Sequence, residues 1–313
     1  MRSFADVVMV HAVYTSAMKH ATVIATYSRR MRIRLANAVE VDARIKGKRL
    51  KPVCGDHVDA EPIENESDWL ITKIAKRRHE LTRPNMRGRV EVLAANLDYL
   101  VVVAAVEPQA DWFIVDRYLC AAELMGIGAG IVFNKSDLAR DLPVDELGTY
   151  EAIGYDVVTC SAESGDGIEG VRDLLRSHCA IIVGQSGVGK SSIINSLVGN
   201  ELQKTSQISD KSREGRHTTV NSAMISLPGG GSIIDSPGVR DYAPALESAT
   251  IASQGFREIR EAAQECRFAN CRHLREPGCA VKDRCETGAI SARRYESYKR
   301  IVNLTEQLSE GRY

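Results

Sequence analysis

Ala180–Val198 reads AIIVGQSGVGKSSIINSLV. The apolar run Ala180–Val183 has the character of a buried parallel strand, and apolar spacing resumes at helical period through Ile193, Ile194 and Leu197. Between them lies Gly184-Gln185-Ser186-Gly187-Val188-Gly189-Lys190-Ser191, a complete G-x-x-x-x-G-K-S in the strand–loop–helix setting that gives the motif its meaning. Glycines there let backbone N–H groups turn inward as an anion nest, and the helix start adds partial positive charge. Gly184–Ser192 is therefore the candidate triphosphate site. Lys190 is spaced to reach the β- and γ-phosphates, and Ser191 to offer a hydroxyl to Mg²⁺.

Downstream, Gln207–Thr219 is rich in Gly, Ser, Thr and charge, lacks periodicity and contains Gly215-Arg216-His217-Thr218-Thr219. Thr218 or Thr219 falls where a switch threonine meets Mg²⁺ and the γ-phosphate. Strands are predicted at Ala223–Leu227 and Ser232–Ile234. The second runs into Asp235-Ser236-Pro237-Gly238, a D-x-x-G in which Asp235 holds Mg²⁺ through water and the Gly238 N–H senses the γ-phosphate.

Upstream, Leu97–Val106 (LDYLVVVAAV) reads as another buried parallel strand, followed by a helix at Phe113–Met125 and a strand at Gly130–Phe133. That strand ends in Asn134-Lys135-Ser136-Asp137, an N-K-x-D. The Asp137 carboxylate can accept hydrogen bonds from guanine N1–H and the 2-amino group, a pair adenine does not offer. Asn134 can tie neighbouring loops together, and the Lys135 stem can cover the base. A helix at Val144–Ile153 and a strand at Asp156–Cys160 lead to Ser161-Ala162, where a backbone N–H would meet guanine O6. A helix at Ile168–Ser177 returns the chain to the phosphate loop. Each motif alone is weak; each ends a predicted strand, and together they require one mononucleotide. Because the guanine reader precedes the phosphate loop, the order is a circular permutation of the GTPase fold.

The first 78 residues read as all-β, with short runs at Val7–Tyr14, Thr22–Tyr27, Met31–Leu35, Val39–Ile45, His57–Pro62 and Trp69–Ile74 separated by turn signals. Five or six such strands suit an OB-type barrel, whose open face often takes RNA. Arg29, Arg30, Arg32, Arg34, Lys46, Lys48, Arg49 and Lys51 are candidates to line it. With only Tyr14, Tyr27 and Trp69 to stack on bases, phosphate and shape contacts are favoured over base readout; a protein-docking barrel is the alternative. Lys76–Arg89 reads as a basic, irregular linker, either a spacer or a second phosphate contact.

The chain of 313 residues leaves room for two or three domains. No apolar run is long enough to span a membrane, and the first residues lack the pattern of a secretory signal. Its eight cysteines are then expected to be reduced thiols or metal ligands, and the cytoplasm is the expected compartment. Formal charge is zero, yet residues 1–90 carry +8, residues 91–257 carry −10 and residues 258–313 carry +2. A basic end on an acidic nucleotide-binding middle points either to a polyanion, nucleic acid first, or to a solvated basic face.

In motif order and flanking segments, including GRHTT and DSPGVR, the chain resembles the ribosome small subunit-dependent GTPase A family, the YjeQ/YloQ group, over essentially its whole length. The resemblance implies a multidomain protein. An RNA-binding OB barrel would occupy 1–78, a circularly permuted P-loop GTPase of α/β class 82–244, and an α-rich zinc-binding unit 245–313. It further implies a GTP hydrolase that acts late in maturation of the small ribosomal subunit, binds its 16S rRNA, is stimulated by the subunit and is a monomer. A regulatory GTPase switch that recruits proteins without RNA is the alternative; an ATP-dependent kinase is disfavoured by Asp137.

The C-terminal segment carries Cys266-x₄-Cys271-x-His273-x₅-Cys279, three thiolates and an imidazole suited to closed, structural Zn²⁺. Cys285 is a spare thiol, and the resemblance selects the first four. Helices are predicted on either side, at Ile251–Ala263 and Ala292–Leu308. Where many GTPases place a water-orienting glutamine after D-x-x-G, this chain has Val239, so unassisted hydrolysis is expected to be slow. His217 is the internal candidate for that task and a docked partner the external one; a solvated loop histidine is the plain alternative.

Overall fold

The computed structural model describes residues 18–27, 30–47, 49–84, 90–199, 220–235 and 249–310. The predicted strand Val7–Tyr14, the stretch bearing His217, Thr218 and Thr219, and Gly238 and Val239 lie outside the described residues, as do Arg29, Lys48, Arg87 and Arg89.

Five strands form the barrel: β1 (Lys19–Tyr27), β2 (Met31–Leu35), β3 (Glu40–Ile45), β4 (His57–Pro62) and β5 (Trp69–Ile74). They pair in the order β1-β2-β3-β5-β4, and β1 pairs again with β4, closing the barrel. Alternation places Val23, Ile33, Ala43, Val58, Ala60 and Ile71 inside and charged residues outside.

Where an irregular linker is expected, Glu80–Pro84 (β6) and Val90–Ala95 (β7) pair as an antiparallel two-stranded sheet. The composition of Lys76–Arg89 conceals this, because the residues that pin the pair are few: Leu81, Leu93 and Ala94, buried in the central core beside Leu97.

The central unit is an α/β sheet. Its strands are β8 (Tyr99–Ala105), β9 (Gly128–Asn134), β10 (Asp156–Thr159), β11 (Cys179–Gly184), β12 (Val220–Ser226) and β13 (Ser232–Asp235). Their order is β10-β9-β8-β11-β13-β12, all parallel except β12. One core lies on each face: α1 (Trp112–Met125) and α2 (Val144–Ala152) pack on one side. On the other are α3 (Ile168–Leu175) and the helix at 190–199 (α4). All residues of β8 are buried, which accounts for its unbroken apolar run. Strand β12 also pairs with β1, so one sheet continues from the central unit into the barrel.

The C-terminal unit comprises a 3₁₀ segment, Ala249–Gly255, then α5 (Arg257–Ala263), α6 (Ala280–Glu286) and α7 (Ala292–Glu310). The single helix expected over Ile251–Ala263 is thus broken before α5. Gly255 sits against Cys120 of α1, where a Cβ would overlap the sulfur, so the chain bends at this contact. No helix among the described residues is long and apolar enough to cross a membrane.

Candidate functional site

Because β9, β10, β11 and β13 are parallel, their C-terminal ends share one edge of the sheet. Asn134 ends β9, Ser161-Ala162 follows β10, Gly184 ends β11 and Asp235 ends β13. Four segments, circularly permuted in chain order from the usual GTPase arrangement, therefore meet at one edge.

Asn134 joins three of them. Its side chain is buried; Nδ2 donates to Val188 O at 2.9 Å in the phosphate loop, and Oδ1 accepts from Ala162 N at 3.0 Å. The Cys160 thiol also donates to Oδ1 at 3.7 Å. A Cβ at Gly189 would overlap Asn134 Nδ2, so the loop approaches this closely only because residue 189 is glycine. At Gly184, φ is 140° and a Cβ would collide with Val103 O, which explains the glycine ending β11.

Lys190 folds back on its own loop, Nζ donating to Gly184 O at 2.7 Å and Gln185 O at 2.6 Å. These bonds close the loop around the ammonium and hold it at the strand end. Val188 is buried as the hydrophobic anchor of the loop, whereas Ser186, Gly187, Ser191 and Ser192 are exposed at its mouth. Lys135 takes a left-handed conformation, φ 62°, that turns the chain into the 3₁₀ segment Ser136–Leu138. The Asp137 side chain is exposed there, and the Ser136 N–H is tied to Cys160 O at 3.1 Å. Ser161 is buried, with its N–H donating to Asp166 O at 2.8 Å.

Two contacts escape sequence reasoning. Gln185 Oε1 accepts from Asp111 N at 3.0 Å, linking the phosphate loop to the start of α1, which Asp111 itself caps. Ser196 of α4 donates to Ala162 O at 3.2 Å. The Asp111 cap has a helix-start signature; nothing in the sequence marks Ser196.

In the C-terminal unit, ligand atoms of Cys266, Cys271, His273 and Cys279 all lie within 4.8 Å of one another. Both Cys266 and Cys279 sulfurs lie 3.5 Å from His273 Nδ1. Cys285 lies in α6 and is not in the group. Burial pushes the Cys271 thiol up to about 12, with the neighbouring thiols adding to it, and lowers His273 from its ordinary range. Packed thiols that resist ionising beside a neutral imidazole are the donor set a divalent cation turns into ligands, since its charge reverses the sign of that shift. Glu276 braces the loop by accepting from the N–H groups of Arg272, Leu274 and Arg275 at 2.9–3.1 Å. Burial opposes its ionisation, but these backbone donors prevail and bring the carboxyl down to about 2. Tyr295 and Tyr298 of α7 donate to His273 O and Arg272 O at 2.6 and 2.7 Å.

Fold and motif order together define a circularly permuted P-loop GTPase. The chain belongs to the RsgA GTPase family, whose pattern matches residues 74–244. It is 40% identical over 245 residues to the small ribosomal subunit biogenesis GTPase RsgA of Haemophilus influenzae (strain 86-028NP), covering 77% of this chain and 70% of that one. To the protein of that name from Marinobacter nauticus it is 39% identical over 266 residues, covering 83% and 76%. The crystal structure of YjeQ from Thermotoga maritima superposes with a TM-score of 0.75 at 26% identity, over 92% of this chain and 99% of that one. YloQ, described as a circularly permuted GTPase, gives 0.75 at 24% identity, covering 95% and 98%, a likeness of fold.

Proposed function

We propose that this protein is a GTP hydrolase of small ribosomal subunit biogenesis, binding the 16S rRNA of that particle and turning over GTP in response to it. The observation that carries the nucleotide reading is Asn134, a buried amide bonded at once to the phosphate loop and the Ser161-Ala162 loop. Such a clamp fixes the two loops relative to one another, as joint recognition of one ligand requires.

In this reading Asn134–Asp137 with Ser161 and Ala162 select guanine, and Gly184–Ser192 cradle the phosphates. Lys190, held at the strand end by Gly184 O and Gln185 O, turns its ammonium to the phosphate oxygens. The hydroxyl of Ser191 and the carboxylate of Asp235 fit Mg²⁺, a hard cation that takes oxygen ligands. When bound, Mg²⁺ would neutralise part of the charge on the phosphates. Thr218, Thr219 and Gly238 carry the γ-phosphate response, and His217 orients the attacking water that Val239 cannot hold. The thiol–imidazole cluster takes Zn²⁺ as scaffold: all four protein donors leave no open position. In the same reading the chain divides into units at 1–78, 82–244 and 245–313 and acts as a monomer in the cytoplasm.

The decisive experiment measures GTP turnover with and without purified small subunits, ATP as competitor, across a salt titration. Stimulation that falls steeply with salt, and no competition by ATP, is the expected result. Equal competition by ATP ends the guanine assignment. His217→Ala should reduce stimulated turnover by about 10²-fold; unchanged turnover removes the residue from the reaction.

A further inference from the structure

Between the β8–α1 loop and the loop leading from Asp137 into α2 lies a cleft of ≈ 460 Å³. Val106, Trp112, Phe133, Leu142, Pro143 and Glu146 line it. Trp112 and Phe133 stack, ring centroids 6.3 Å apart and planes at 11°, and Trp112 is only half-buried. Along this loop and at the first residue of α2, Leu138 is 52%, Leu142 38% and Val144 68% exposed. One exposed aliphatic is ordinary on any surface; several in one short stretch beside an aromatic-lined cleft make an apolar patch.

The rim states what would cover the patch. Two of its lining residues, Asp141 and Glu146, are carboxylates that form no ion pair among the described residues, and Asp145 is the sequence neighbour of the second. Among the described residues, the cations closest to the cleft are engaged elsewhere. The Arg293 guanidinium over the Trp112 ring is bound to Asp116 at 2.8 Å, and Lys135 lies toward Gly189. RNA phosphates brought here would meet like charge. A cationic polypeptide would meet complementary charge and an apolar pocket together.

We propose that this cleft docks a Lys/Arg-rich protein segment inserting an apolar side chain beside Trp112 and Phe133. The inference rests on the reading of the chain as a small-subunit factor, and names a second mode of contact: protein at this corner, opposite in charge to the basic barrel. Phe133 directly precedes Asn134, so the docked segment touches the strand that ends in the guanine-reading turn.

The test uses the full chain with a photocrosslinking benzoyl-phenylalanine at Leu142, and a control at exposed Glu151 on the far end of α2. Each is bound to purified small subunits with a non-hydrolysable GTP analogue, irradiated and treated with ribonuclease. One dominant, ribonuclease-resistant adduct to a basic segment of one subunit protein is expected from position 142 and not from 151. In parallel, Asp141→Lys with Glu146→Lys should slow association about fivefold while leaving GTP binding unchanged. Adducts to RNA, or to this chain's own residues, overturn the proposal, as does co-sedimentation without any adduct from position 142. If the unmodified chain does not co-sediment at all, the small-subunit reading fails first and the proposal with it.

Discussion

The barrel and the C-terminal helical unit join the central sheet in opposite ways. The barrel is attached by backbone: β1 pairs with β12 through Ala25, Thr26 and Tyr27 opposite Ala223, Ser222 and Val220. Its Cys54–Asp56 loop adds main-chain bonds, Ala95 N to Cys54 O at 3.0 Å, with Asn96 Nδ2 donating to Gly55 O at 2.9 Å. Gly55 packs so tightly that a Cβ would overlap Ala95 O and press Ile234, the residue before Asp235. The C-terminal unit is attached by side chains. Asp116 of α1, fully buried, accepts from Arg294 at 2.6 Å, from Arg293 at 2.8 Å and from the Tyr150 hydroxyl at 2.6 Å. Arg294 turns its remaining donors to Glu258, and Glu123 holds Arg257 and Arg260. A ladder is indifferent to most side chains along it, whereas a buried charge network fails with any one member.

The largest effect follows from that difference. Arg294 is 1% exposed, and burial alone would lower its guanidinium; Asp116 and Glu258 outweigh burial and hold it well above its ordinary range. Arg294→Ala leaves Asp116 buried and Glu258 short of its partner, and should cost about 3–5 kcal/mol in denaturant unfolding. A loss below ~1 kcal/mol would show that the joint does not depend on charge pairing.

Next in size is Asn134→Ala, which severs the phosphate loop from the Ser161-Ala162 loop and strands two donors, Ala162 N and the Cys160 thiol. About 1–3 kcal/mol of guanine nucleotide affinity should be lost, read as a roughly five- to 150-fold rise in Kd by titration calorimetry. Global stability should fall less, and an unchanged Kd would remove Asn134 from the nucleotide site.

These residues also show what a sequence can reveal. Asn134, Lys190 and the four metal-cluster residues were legible because each chemistry demands fixed residue types at fixed spacing. Strands β2, β4 and β5 were legible for a related reason: alternation survives where one face is wet. The β6–β7 pair was not, since Leu81 and Leu93 are scarce among basic residues and pairing leaves no compositional mark. The seam between β1 and β12 was equally silent because its bonds are main-chain. Arg293 and Arg294 look like ordinary charges on a helix; only the fold brings Asp116, far away in sequence, against them.

The C-terminal unit holds a smaller effect, visible in acid. The folded-state carboxyl of Glu276 is depressed to about 2, below the ordinary glutamate value, so its contribution is fully present above the unfolded pKa and is lost as pH falls toward 2. Glu276→Gln keeps one acceptor and no charge. The stability gap between the protein and this variant should be constant above about pH 5 and narrow steadily below it. A gap that ignores pH would mean that the loop is held by shape, not by the carboxylate.

The smallest expected effect is at the barrel seam, and it tests the other half of the comparison. Ala223 pairs with Ala25 of β1 on one side and with Asp235 of β13 on the other. Its side chain is half-buried and none of the seam's bonds runs through it. Ala223→Val keeps every backbone group and suits a pleated strand, so unfolding should shift by no more than about 0.5 kcal/mol. Ala223→Pro at the same position removes the N–H from a strand flanked on both sides, which a ladder cannot absorb. The valine should leave barrel and central unit unfolding together, and the proline should separate their transitions or loosen the barrel. If valine proved as damaging as proline, side-chain packing would be holding this joint too, and the contrast with the charge-paired C-terminal unit would reduce to which atoms happen to be buried.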